Sequence, residues 1–389
     1  MLRIAYCSNV HAGSNFEQTR ENLQAYSCQV KRHYSSDRPM GVGLWLSEQT
    51  ASEIVANNHR ANEFQQFLND AGLVPFTFNG FPFGNFHQEV VKHDVYLPTW
   101  FDERRFVYTK NLVQLIHRFA PQGWEASIST LPIAWNSPEV AKEKLSESGR
   151  LLRELASLLA NFEKETGRLI YVCIEPEPGC VLQYSKDVVS FFAKYLLRGS
   201  DEAAIRRHIR ICHDVCHGVV MCESQCDILA AYHAAGLQVG KVQISSAVVV
   251  DFDSFDALDR AKAFQQLTEF AEDRYLHQTT VQKADAEPVF FEDLPLALQS
   301  VSETSVASGV WRIHFHIPVY LSSFGCLNAS QQDIVDCVSS IREFSDVQHF
   351  EVETYAWNVL PPDLKQDDLA IGISDELQWF TKLASKHLD

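Results

Sequence analysis

Short segments in which apolar and polar residues alternate recur along the chain, and many of them end in an acidic residue or a histidine. Successive side chains of a β-strand point to opposite faces. In LIYVCIEPEPG, Val172 and Ile174 therefore share one side while Tyr171, Cys173 and Glu175 share the other. The same split sets Ile209 and Ile211 against Arg210, Cys212 and Asp214, and Val242 and Ile244 against Lys241, Gln243 and Ser245. Ile313, Phe315 and Ile317 oppose Arg312, His314 and His316, and Phe350 and Val352 oppose Glu351, Glu353 and Tyr355. The intervening segments read as helices, which predicts parallel, covered strands rather than an antiparallel sheet with one wet face. The polar faces must then meet inside a closed barrel.

Counting such units gives eight strand-then-helix pairs, the pattern of an α/β fold of (β/α)8 TIM-barrel type. Strands are expected at 2–7, 74–79, 125–131, 169–175, 209–214, 239–245, 311–317 and 349–354. Helices are expected near 15–32, over ERRFVYTKNLVQLIHRFA, at 138–166 and near 375–387. The segment GVGLWLS, with a helix near 61–71, reads as an insertion ahead of the second strand. A single domain over 1–389 is expected, with the excursion 246–308 packing over the C-terminal mouth, because long loops after barrel strands belong on the active-site face.

A chain of 389 residues with 46% hydrophobic residues can bury a large core. Its net charge of −17 and pI near 5.3 repel anionic polymers, and no Lys/Arg run builds a basic groove, so no nucleic-acid partner is expected. No stretch of roughly 18 uninterrupted apolar residues supplies a membrane span. The opening MLRIAYCSNVHAG lacks a long apolar leader and reads as the first barrel strand, so a soluble, cytoplasmic protein is expected. The ten cysteines are scattered, with Cys7, Cys173 and Cys212 on expected strands, which suits reduced core thiols. Cys212, Cys216, Cys222 and Cys226 lack the close pairs of a zinc knuckle, and no glycine-rich phosphate loop is present.

The chemistry gathers at strand ends. Glu175, Asp214, His217, His314, His316 and Glu353 are carboxylates and imidazoles that a barrel brings to one mouth, as a divalent metal or a proton-transfer site requires. A polar mouth held by hydrogen bonds is the plainer alternative. His11 in SNVHAG either lines the mouth or makes a turn contact, and His277 in YLHQ is either a ligand or a packed histidine. Glu177 replaces Glu175 as the ligand if that strand ends later. Lys92 and Arg104 either meet an anionic substrate or remain solvated.

Glu175 closing one strand, DVCH (214–217) closing the next and Glu353 closing the last resemble the xylose isomerase-like barrel superfamily, which includes sugar isomerases, epimerases and endonuclease IV. Within it, YCSNVHAG, TFNGFPFGNFH, VYLPTWFDERRFVYT, STLPIAW, IEPEPG, YLHQ and VETYAWNVLP more closely resemble the EboE family, metabolite traffic proteins of bacterial ebo clusters. The resemblance implies that Glu175, Asp214 and Glu353 are ligands of Mn, Mg or Zn, with His217 a further ligand or a substrate contact. Gln243 stands where the sugar isomerases carry a histidine ligand, and His314 or His316 can compensate; His316 is assigned to the ligand set. His11, Lys92, Glu177, Gln243, His277 and His314 remain as contacts for a small polar metabolite. The implied chemistry is proton transfer beside a carbonyl, with Glu175 and Glu353 as base and acid. The alternative is a non-catalytic carrier working with other proteins of the ebo cluster; an endonuclease IV-like nuclease would need a basic groove and more histidines.

Overall fold

The computed structural model describes residues 2–199, 201–301, 306–364, 366 and 368–388. Its first seven strands are β1 (Arg3–Cys7), β2 (Met40–Trp45), β3 (Leu73–Asn79), β4 (Ala126–Thr130), β5 (Ile170–Ile174), β6 (Ile209–Asp214) and β7 (Val239–Ile244). Then follow β8 (Val248–Asp251), β9 (Thr279–Gln282), β10 (Val289–Phe291), β11 (Val310–Ile313), β12 (Ser323–Phe324), β13 (Leu327–Ala329) and β14 (His349–Val352). Strands β1 to β7 and β14 are parallel and close into a barrel in the order β1-β14-β7-β6-β5-β4-β3-β2. Val172, Ile174, Ile209 and Ile211 pack outward against the helices, whereas Tyr171, Cys173 and Cys212 cluster inside.

Two strand assignments need correction. Residues 41–47, expected as an insertion, begin within β2, a barrel strand between β1 and β3. MGVGLW carries no charged residue and is buried over nearly its whole length, so the polar alternation of the other strands is missing from it. Conversely, 311–317 is not a barrel strand. Its first residues form β11, antiparallel to β8 and β9 in a separate sheet ordered β10-β9-β11-β8-β13-β12. A strand half-covered in an antiparallel sheet has the same alternation as a barrel strand, and the two misreadings cancel in the count of eight. Of the excursion 246–308, residues 302–305 lie outside the described residues. Its described part builds β8 to β10 and brings Tyr275 and Leu276 to the cleft at the barrel mouth.

The barrel interior carries buried polar and charged side chains. Lys241 Nζ lies 2.6 Å from Glu351 Oε2 with both side chains fully buried, and Nζ also donates to Ser129 Oγ at 3.2 Å. Burial pushes the Lys241 ammonium down, but Glu351 outweighs it and keeps the group charged. Gly43 is required beside this pair, since a Cβ there would overlap the Glu351 carboxylate. Toward the barrel floor, His349 Nδ1 bonds Ser127 Oγ at 2.9 Å, and Ser127 Oγ donates to Thr77 Oγ1 at 2.8 Å.

An unpaired buried charge is the expected penalty for breaking this pair. Lys241→Met should cost about 3–5 kcal/mol in chemical denaturation. Lys241→Met combined with Glu351→Leu should recover much of that loss, and equal destabilisation by single and double variants would refute the pairing.

Candidate functional site

The mouth is assembled from strand ends whose local chemistry fixes each side chain. Asp214 ends β6 and caps the helix Val215–Val220, its Oδ1 accepting from the His217 backbone N–H at 3.1 Å and from Ser245 Oγ at 2.7 Å. The cap places His217, three residues on, over the same carboxylate, with Nε2 3.8 Å from Asp214 Oδ1. Glu175 follows β5, and Glu353 follows β14. One oxygen of Glu353 accepts from Asn9 Nδ2 at 2.7 Å and from Asn79 Nδ2 at 2.9 Å, and the other accepts from the Gln243 amide.

Three imidazoles are locked in one tautomer by acceptors that cannot donate. His217 Nδ1–H donates to the Pro176 carbonyl at 2.7 Å, and His316 Nδ1–H donates to the Glu353 carbonyl at 2.9 Å. The Gln278 Nε2 group donates to Glu177 Oε1 and to the Pro178 carbonyl, so its oxygen faces His314 Nδ1–H at 2.8 Å. Each ring therefore presents an Nε2 lone pair to the mouth. His314 Nε2 and His316 Nε2 lie 3.1 Å apart, a repulsive approach unless a proton or a cation lies between or beside them.

This donor set fits a divalent cation. One carboxylate oxygen each from Glu175, Asp214 and Glu353 lie within 4.8 Å of one another, as do ligand atoms of Asp214, His217 and His316, and those of Cys216, His314 and His316. Glu175 Oε2 and Asp214 Oδ2 are buried without a hydrogen-bond partner. Oxygen donors alone suit Mg or Mn, and the added imidazoles move the preference toward Zn.

The electrostatics follow from burial. Glu175 is pushed well above the usual carboxylate range by burial, then by Glu353 and Asp214. Glu353 is pushed up to about 8 by burial, then by Asp214 and Glu351, with Lys241 opposing. For Asp214, burial acts upward, but His217, His316 and the Ser245 hydroxyl outweigh it and hold the group below its ordinary value. Burial also holds His316 down to about 4 and His314 well below its ordinary value, so both rings are neutral and able to ligate.

Glu175, Glu177, His217, His314, His316, Glu353 and Lys92 all line one cleft, of about 520 Å³ counting its open end. The remaining candidates lie elsewhere. Gln243 is fully buried beneath Glu353, its amide oxygen accepting from Cys212 Sγ at 2.7 Å. His11 bonds Tyr6 Oη at 3.0 Å and stacks on Tyr26. His277 donates from Nδ1 to the His314 carbonyl at 2.9 Å, and its Nε2 lies 2.8 Å from Glu272 Oε1. Arg104 is exposed and paired with Asp102 at 2.7 Å.

Asn9, Asn79, Tyr96 and Gln278 were not singled out in the sequence. Asn79 had a readable signal, since it ends an apolar strand just as Asp214 does. Gln278 had none, because its role is to orient His314, which lies 36 residues further along the chain.

Protons and a cation compete for the same carboxylates. Glu353 has a raised value in the folded chain, so the folded state holds more protons than the unfolded state between its ordinary 4.5 and about 8. The stability it contributes is full below 4.5 and is lost as pH rises through 8. Chelator-treated protein should therefore melt at lower temperature at pH 8.5 than at pH 5.5, and Zn or Mn should restore the loss at the higher pH. A melting temperature that rises with pH without metal would contradict this.

No family profile and no curated protein matches the sequence. Among solved structures, a xylose isomerase-like TIM barrel protein from Mycobacterium smegmatis in complex with magnesium is similar over 100% of this chain and 98% of its own, at 11% identity with a TM-score of 0.54. The IOLI protein with a bound zinc atom is similar over 100% of both chains, at 11% identity with a TM-score of 0.52. Among the described residues no helix is long and apolar enough to cross a membrane. At these identities the likeness concerns the fold alone: this chain is a closed (β/α)8 barrel, as these neighbours are.

Proposed function

We propose that this chain is a metal-dependent isomerase or epimerase of a small polar metabolite of sugar or polyol type, working as one domain over 1–389. Glu175, Asp214, His217, His316 and Glu353 form the ligand set. The observation that carries this reading is the convergence of three buried carboxylates with tautomer-locked imidazoles, two carboxylate oxygens being left unpartnered. A divalent ion, when bound, supplies Lewis-acid polarisation of the substrate oxygens. Glu175, with its unpartnered Oε2, takes the proton from the carbon beside the substrate carbonyl. Glu353, held by three amides, stands across the floor as the acid that returns one. His314 and Glu177 line the cleft as substrate contacts, and Lys92 stands among its lining residues.

A second reading, favoured by Gln243, is a carrier that has kept the barrel without turnover. Its amide is spent on Glu353 and Cys212, so no imidazole rises from β7. The sequence strings that resemble the EboE family suggest, in either case, work alongside other proteins of metabolite traffic.

Glu175→Gln keeps the shape of a side chain whose Oε2 has no partner, so folding should change little while turnover falls by roughly 10²–10⁴. The assay is deuterium incorporation from solvent into a panel of ketoses, aldoses and cyclic polyols with Mn, Mg or Zn, read by mass spectrometry. Absence of exchange by wild-type protein with a stoichiometric metal, established by elemental analysis, would favour the carrier.

A further inference from the structure

The lining of the cleft is mixed in character. Beside the carboxylates and imidazoles stand apolar side chains, with Phe81, Phe86, Val91, Val95, Leu276 and the ring of Tyr355. The aromatic part is continuous with the floor: the Tyr355 ring centre lies 4.8 Å from His316 and 5.3 Å from Phe86, which lies 5.0 Å from Tyr275.

Two of the tyrosine hydroxyls in this wall are already committed inside the protein. Tyr96 Oη donates to Glu177 at 2.6 Å, and Tyr275 Oη donates to the Phe86 carbonyl at 3.1 Å. What they offer a ligand is therefore mainly ring surface, since neither hydroxyl has a proton left to donate. A bare polyol bound along this wall would leave hydroxyls unsatisfied, at a cost that disfavours it.

The side chains lining the cleft also offer no unpaired cation of their own. Among its lining residues the positive group is Lys92, and its Nζ is 2.7 Å from Asp293 Oδ2. Asp293 is fixed in turn, its Oδ1 accepting from the backbone N–H groups of His277 and Leu294. Phosphate recognition relies on Arg forks, free Lys or a helix N-terminus, and this lining instead carries the carboxylates of Glu175, Glu177 and Glu353.

We propose that the cleft takes an uncharged polyhydroxy or hydroxycarbonyl compound bearing an apolar substituent, its oxygens at the carboxylate–imidazole floor and its apolar part along the Phe86–Leu276–Tyr355 wall. This inference deepens the reading of the same site as a metal-assisted one and rests on it for the placing of the oxygens.

The test compares three matched probes on metal-loaded protein by calorimetric titration and saturation-transfer NMR: glucose, glucose 6-phosphate and phenyl β-D-glucopyranoside. The phenyl glycoside should bind about tenfold or more tightly than glucose, in line with burial of one ring against an apolar wall. Glucose 6-phosphate should bind no tighter than glucose. Leu276→Ala and Val95→Ala should each shrink the phenyl advantage severalfold while leaving glucose unchanged. Val95 is only partly buried, so its truncation should cost little stability, and a thermal melt of that variant checks this.

A phosphate that binds more tightly than the parent sugar, or a phenyl group that brings no gain, overturns the inference. The two readings fail separately. A phenyl advantage in protein that shows no solvent exchange removes only the isomerase, whereas exchange without a phenyl advantage removes only the apolar substituent.

Discussion

The structure depends on a buried ion pair held inside the polar interior of the barrel. Lys241 and Glu351 cross its middle as a fully buried ion pair, and Gly43 opposite leaves room for the carboxylate. Above them Cys212 donates to Gln243, and Gln243 donates to Glu353, so the carboxylate at the mouth is the top of a column of hydrogen bonds. Such a column is costly if any member is missing, because each remaining partner would stand buried and unpaired. Glu353 is therefore oriented by the barrel itself rather than by a mobile loop.

Much of this was readable in the residues. Alternation separated Val172 and Ile174 from Tyr171 and Cys173, and it marked Glu175, Asp214 and Glu353 as inward-facing strand ends. DVCH was legible for a local reason, since an aspartate capping a helix brings a histidine three residues later onto its own face. What could not be read was the partner of each strand. MGVGLW hid as a barrel strand because its inward positions hold little that is polar, and Trp311–Ile317 imitated one because a half-covered antiparallel strand has the same period. The use of Gln243 was equally hidden: its neighbours Cys212 and Glu353 lie 31 and 110 residues away.

His314 and His316 reach the mouth from outside the barrel, just beyond a strand of the second sheet, and are held there by contacts to both parts. His316 donates to the backbone carbonyl of Glu353, and the carbonyl of His314 accepts from His277. Their rings consequently keep fixed orientations without a barrel strand beneath them. Geometry of this kind arises from hydrogen bonds between elements remote in sequence, which is why residue types alone gave no reason to prefer His316 over His314 as a ligand.

The division of labour between barrel and inserted sheet has an evolutionary consequence. The carboxylates belong to the barrel strands, whereas the two outer imidazoles and part of the apolar wall arrive with one contiguous stretch of chain. Change within that stretch can retune imidazole supply and wall shape together while β5, β6 and β14 remain untouched. Shortening it would remove both at once, so the two outer imidazoles and that part of the wall stand or fall together.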